Sequence, residues 1–172
     1  MKLITFLLLA LSTLFAQIEL GKVPTLLTLS GDDGGNVAGG DWKSNQNLGK
    51  LHIIIYADPD EKDEGEPFND ALDALKKAKG EDKFNTTAII NMAATWKPNF
   101  VINQLLKMKQ DKYPKVTYVK DYKSVLVNKW NMENDAYDVL VLDASGSVLY
   151  HQKAPFNQSE IVKAMEIIEA NF

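Results

Sequence analysis

The chain of 172 residues has no cysteine and no arginine, only two histidines, and no long apolar run beyond its first fifteen residues. Each absence removes a class of function. Without cysteine there is no thiolate, so thiol–disulfide exchange and thiol peroxidation are excluded, and no disulfide staples the fold. Without arginine no guanidinium fork can clamp a phosphate or carboxylate. All 19 basic residues are lysine against 23 acidic ones, a net charge of −4, which is a poor footprint for nucleic acid. Two histidines, His52 and His151, with no third ligand near them in sequence, argue against zinc and for hydrogen-bonded structural roles. Gly31-Asp32-Asp33-Gly34-Gly35 lacks the lysine and helix of a phosphate loop, and there is no Gly-x-Ser-x-Gly elbow.

The N-terminus reads as an export signal. Lys2 supplies the positive region, Leu3 to Leu11 the apolar run, and Ser12 to Ala16 a small-residue cleavage site. The apolar run is shorter than the ~20 residues a spanning helix needs. Residues 1–16 are therefore expected to be a cleaved signal peptide, and 17–172 one mature domain in the bacterial periplasm without a stable membrane span.

The mature chain is punctuated clearly. Gly21, Pro24 and Leu26 to Leu29 precede a turn-rich stretch, 30–40, expected to stay exposed as a hairpin or loop. Leu51-His52-Ile53-Ile54-Ile55-Tyr56 is an almost unbroken apolar, β-branched run, as in a strand buried on both faces. Pro67, the stripe Phe68, Ala71, Leu72, Leu75 and Ala78, and Gly80 delimit a helix, with Asp73 and Lys77 as an exposed i,i+4 pair. Thr86 to Asn91 predicts a second buried strand, and Asn99 to Lys109 a second helix whose lysine-rich end, 107–112, reads as a solubility face. Val116 to Val119 and Val125 to Val127 are short strand candidates. Val139 to Asp143 and Ser147 to Tyr150 flank Ala144-Ser145-Gly146 as a hairpin, and Asn157 with Glu160 forms a capping box for a last helix burying Ile161, Ala164, Met165 and Ile168. Strand, helix, strand, helix with short links implies right-handed crossovers and parallel pairing.

This order resembles a thioredoxin-like domain: a mixed α/β sheet flanked by helices, with an N-terminal β elaboration. Gly21-Lys22-Val23-Pro24 with Leu29, Gly49-Lys50 before the central strand, Tyr113-Pro114, Asp121, Trp130 and Val139 to Gly146 are similar to motifs of its exported branch. Asn85 to Asn91, Tyr113-Pro114, Trp130 and Val141-Leu142-Asp143 with Gly146 resemble, within that branch, the YtfJ-like exported proteins. The resemblance places the redox Cys-x-x-Cys at Ala57 to Glu64, where no cysteine stands, and the facing cis-proline at Tyr137, whose peptide is expected to be trans. Ala94-Thr95-Trp96-Lys97-Pro98 echoes the redox segment but carries Lys97 in place of the thiol.

Ligands of α/β proteins bind where strand carboxyl ends converge. Here that edge is formed by loops 57–66, 91–97 and 134–138, so a partner or ligand is expected at Asp58, Pro59, Asp60, Asn91, Trp96 and Tyr137. Asp58, Asp60, Glu61 and Asp63 are the metal candidates, yet they lack the Asp-x-Asp-x-Asp-Gly order of a calcium loop, and acidic residues before a helix are favoured by its dipole alone. Trp130 is expected in the core; Trp96, in a loop, can serve packing or a partner equally. No catalytic residue and no cofactor is implied. The chain reads as a non-redox binding module for a periplasmic protein, peptide or small ligand. The alternative is a metal-dependent, carboxylate-based enzyme or a calcium-binding envelope protein.

Overall fold

The computed structural model describes residues 18–172, so the expected leader lies outside the described residues. Its elements follow the apolar pattern of the chain: β1 (Thr28–Leu29), β2 (Gly34–Asn36), β3 (Trp42–Lys43), β4 (His52–Ala57), α1 (Glu66–Lys79), β5 (Asn85–Asn91), α2 (Asn99–Lys112), β6 (Val116–Asp121), α3 (Val125–Trp130), β7 (Tyr137–Leu142), β8 (Val148–Lys153) and α4 (Gln158–Ala170). Six strands form one mixed sheet in the order β2-β6-β5-β4-β7-β8; β1 and β3 make a separate two-stranded ribbon. β4 is parallel to β5 and β5 to β6, whereas β7 and β8 run antiparallel, as does β2 against β6. Every residue of β4 is buried, as expected for the middle of a sheet covered on both faces.

Two successive right-handed crossovers place α1 and α2 on the same face. Phe68 and Leu72 of α1 meet Ile53, Ile55 and Ala57, with Ala164 and Ile168 of α4 beside them. Ile102 and Leu106 of α2 pack with Ala88, Ile90 and Tyr118. The opposite face is closed by α3 and the N-terminal ribbon, where Leu29, Trp42, Leu126 and Trp130 cover Ile54, Ile89 and Leu140. The Trp130 indole N–H donates to the Thr25 carbonyl at 2.8 Å, tying ribbon to helix. Asn157 accepts from the Glu160 amide while Glu160 accepts from the Asn157 amide, completing the expected capping box.

Four local expectations are corrected. Val125 to Val127 is helical, because Leu126 and Trp130, four residues apart, bury on one side. Segment 30–40 is not wholly exposed loop. Its glycines let β2 join the sheet edge, and at Gly34 (φ 136°) a Cβ would lie 1.9 Å from the Lys120 carbonyl oxygen. Tyr137 and Asp138 belong to β7 rather than to a loop. Asp73 pairs with Lys76 at 3.9 Å, not with Lys77.

Candidate functional site

The carboxyl ends of β4, β5 and β6 and the N-terminal end of β7 meet along one edge. The alternation of strand side chains turns Tyr56, Asn91, Asp121 and Asp138 toward the α3 face, each buried to 1% exposure or less. They satisfy one another and the local backbone. Asp121 accepts from the amides of Val125 (2.9 Å) and Leu126 (3.1 Å) and from the Tyr56 hydroxyl (3.2 Å), so a carboxylate from the end of β6 caps α3. The Asn91 side-chain amide donates to Asn134 Oδ1 at 3.1 Å, and Ser124 donates to Asn91 Oδ1 at 2.9 Å. Asp138 accepts from the Glu133 amide at 3.1 Å and lies 3.4 Å from His151 Nε2, which has no hydrogen-bond partner among the described residues. Burial, then the adjacent Asp121 charge, pushes the Tyr56 phenol far up, so it stays a neutral donor.

The loop standing in the position of a redox motif is held just as closely. Asp58 Oδ1 accepts from the Asp60 amide at 2.8 Å, and burial raises the Asp58 carboxyl above the ordinary range. Asp60 pairs with Lys97 and accepts from the Thr95 hydroxyl at 2.8 Å; these two bonds hold its carboxyl below the ordinary value. Asp63 pairs with Lys62. Three of the four acidic candidates, Asp58, Asp60 and Asp63, are thus dispersed into separate pairings, and among the described residues no three His, Asp or Glu side chains gather into a metal-ligating group. Tyr137 seals the start of α1. Its hydroxyl donates to Asn69 Oδ1 at 2.7 Å, and its ring lies where a Cβ on Gly65 would fall, 2.2 Å away. The peptide before Tyr137 is trans; among the described residues the cis bond is Ala154–Pro155.

Behind this sealed edge a groove of about 690 Å³ opens between α1 and α2. Its floor is the sheet at Ile55, Ala57, Thr86, Ala88 and Ile90, and its walls include Leu72 of α1 and Leu105 of α2. Of the six expected edge residues, Asp58, Pro59 and Tyr137 line its mouth. Asp60, Asn91 and Trp96 do not line it: Asp60 is tied to Lys97, Asn91 is sealed inside, and Trp96 stands 83% exposed on the outer rim. Sequence reasoning missed Asp121, Asp138 and Ser124 in the polar layer, and the groove itself. The available signals were a small residue, Ala88, in the middle of a central strand and the lysines at the ends of both flanking helices.

Comparison with known proteins agrees with this fold. The chain is 25% identical over 132 residues to the uncharacterized protein YtfJ of Escherichia coli, covering 74% of this chain and 70% of that protein. The pneumococcal exposed lipoprotein thioredoxin Etrx1 from Streptococcus pneumoniae superposes with a TM-score of 0.59 at 11% identity, covering 82% of this chain and 98% of that one. Copper-bound yeast Sco1 superposes with a TM-score of 0.56 at 12% identity, covering 81% and 90%. These structural likenesses establish a thioredoxin-like fold. A family model described as "Bacterial protein of unknown function (YtfJ_HI0045)" matches residues 28–171, and with that extent of agreement the chain belongs to the YtfJ family.

Proposed function

We propose that this chain works outside the cytoplasm as a non-redox binding module, with residues 17–172 as one domain behind a cleaved leader, and that it takes its ligand in the α1–α2 groove. The leader-like first sixteen residues and the fold shared with an exposed lipoprotein support the location. One observation carries the binding reading. A central strand, β5, leaves Ala88 and Ile90 only partly covered at the bottom of a groove whose size lies within the ~300–1,000 Å³ of small-molecule sites. Among the described residues no helix is long and apolar enough to cross a membrane.

Amide chemical-shift mapping with a chemically mixed fragment set tests this. Hits should perturb Ala88, Ile90, Leu105 and Leu106, and Ala88→Phe, which fills the floor, should abolish them. Hits confined to the rim around Trp96 would reject the groove. A protein partner on that rim is the second reading, favoured by Trp96 and Phe100, which are 83% and 72% exposed. It predicts that Trp96→Ala removes binding while Ala88→Phe spares it.

A further inference from the structure

The groove is not chemically uniform along its length. α1 and α2 both begin at the strand-end edge and run back along the sheet, so their last turns meet at its far end. There Lys76 and Lys77 from α1, Lys109 and Lys112 from α2, and Lys115 beyond it all line the groove. Its other lining charges are Lys62, Lys97, Asp58, Asp73 and Glu81. Lys115 is occupied by Glu81 (3.2 Å) and Asp82 (3.1 Å), and Lys76, its side chain only 17% exposed, lies 3.9 Å from Asp73. Lys77, Lys109 and Lys112 have no carboxylate within 4.0 Å among the described residues.

In a chain of net charge −4, three uncompensated lysines facing one apolar trough run against the overall composition. The helix dipole favours lysine in any last turn. It does not select the side of the helix, yet these lysines from two helices converge on the same space. Between them and the strand-end mouth the surface is apolar: Ala88, Ile90, Ile102, Leu105 and Leu106, with Leu105 half exposed.

Resting on the groove reading above, we infer that the ligand is a single-chain amphipathic anion, an alkyl or acyl chain lying along the trough with a compact anionic head held by Lys77, Lys109 and Lys112. The apolar body accounts for the uncovered strand, and the head accounts for the ammonium groups that have no carboxylate partner among the described residues; Lys112 also lies over the Tyr113 ring at 5.0 Å.

The test titrates the whole chain, below micelle-forming concentrations, with four probes: dodecyl phosphate, dodecyltrimethylammonium, dodecyl maltoside and inorganic phosphate. Binding is read by calorimetry and by shifts of groove amides. Dodecyl phosphate should bind at one per chain, about tenfold or more tighter than the cationic probe, as three exposed charge pairs predict. The triple change Lys77→Glu, Lys109→Glu and Lys112→Glu should remove that advantage, and Leu105→Glu should weaken every alkyl probe. Should the triple variant not fold, Lys109→Gln with Lys112→Gln should still lower dodecyl phosphate affinity severalfold. Equal binding of the cationic or neutral probe, binding of inorganic phosphate as tight as the alkyl ester, or indifference to the lysine changes overturns the anionic head while leaving the groove as a site. Absence of any groove shift with all three alkyl probes overturns both.

Discussion

The strand-end edge and the α1–α2 groove are neighbours with opposite treatments of polar and apolar surface. At the edge Asn91, Asp121 and Asp138 are withdrawn from water and matched with donors, and Asp60 with Lys97 fastens one loop to the next. In the groove the reverse holds: apolar side chains of a central strand stay partly uncovered and, among the described residues, three ammonium groups have no carboxylate within 4.0 Å. The loop where the resemblance places a redox motif is here closed by its own hydrogen bonds and ion pair, while incompletely packed surface lies between two helices. A site that must bind needs unsatisfied surface, and of these two regions the groove retains more of it.

The contrast breaks most visibly in stability. Asp121→Ala strips a buried acceptor from two helix amides and the Tyr56 hydroxyl and should destabilise by about 3–4 kcal/mol in urea unfolding. Leu105→Glu on the groove wall should stay within about 0.5 kcal/mol of wild type. Similar losses for both would mean that the groove is as tightly packed as the edge, and the distinction would fail.

The other end of β4 offers a pH test. His52 is 2% exposed, hydrogen-bonded to Thr87 Oγ1 at 2.8 Å and Asn47 Nδ2 at 3.1 Å, and burial lowers its pKa to about 4. The unfolded chain takes up that proton near pH 6.5, whereas the folded chain resists until about 4. Stability is therefore full above 6.5, falls as pH drops from 6.5 toward 4, and loses about 2–3 kcal/mol by the lower limit. His52→Gln should flatten this component. An unchanged slope between wild type and variant would show that His52 protonates freely in the fold.

Gly65 and Tyr137 sharpen the comparison at closer range. Gly65→Ala sets a methyl against the Tyr137 ring, an overpacking worth about 1–3 kcal/mol. In the Tyr137→Leu background the same change should cost measurably less, because the ring it strikes is gone. Additivity of the two would mean that the ring does not seal the start of α1.

How far the fold was legible depends on how local its determinants are. β4, α1, the β7–β8 hairpin and the Asn157–Glu160 cap were readable, since each is specified by adjacent residues. α3 was misread because Val125, Leu126 and Val127 favour a strand, and the acceptor for its first amides, Asp121, belongs to the preceding strand. The polar layer was not legible as a network: Asn91 and segment 134–138 were expected at the edge, but Tyr56, Asn91, Asp121 and Asp138 are separated by up to 82 residues (138 − 56) and meet only through strand register. Half of the expected edge residues do line the groove mouth. The groove itself follows from two crossovers of the same hand, a property of topology that no single segment carries.

Asp58 gives the smallest and most specific effect, because it belongs to both regions, sealed by the Asp60 amide yet lining the groove mouth. Its carboxyl titrates above the unfolded value, first through burial and then through the charges of Asp60 and Asp135, against the opposing Asp60 amide bond. Ionised Asp58 therefore opposes folding at neutral pH. The penalty is full above its folded pKa, shrinks as pH falls through that value, and is gone below about 3.9. Asp58→Asn keeps an oxygen for the Asp60 amide and removes the charge, so at pH 7 it should lie on the stable side of wild type by less than about 1 kcal/mol. The two unfolding curves should converge on acidification. A variant less stable at neutral pH would show that the carboxylate charge, rather than the acceptor oxygen, holds the loop, and the edge would then be electrostatically poised instead of closed.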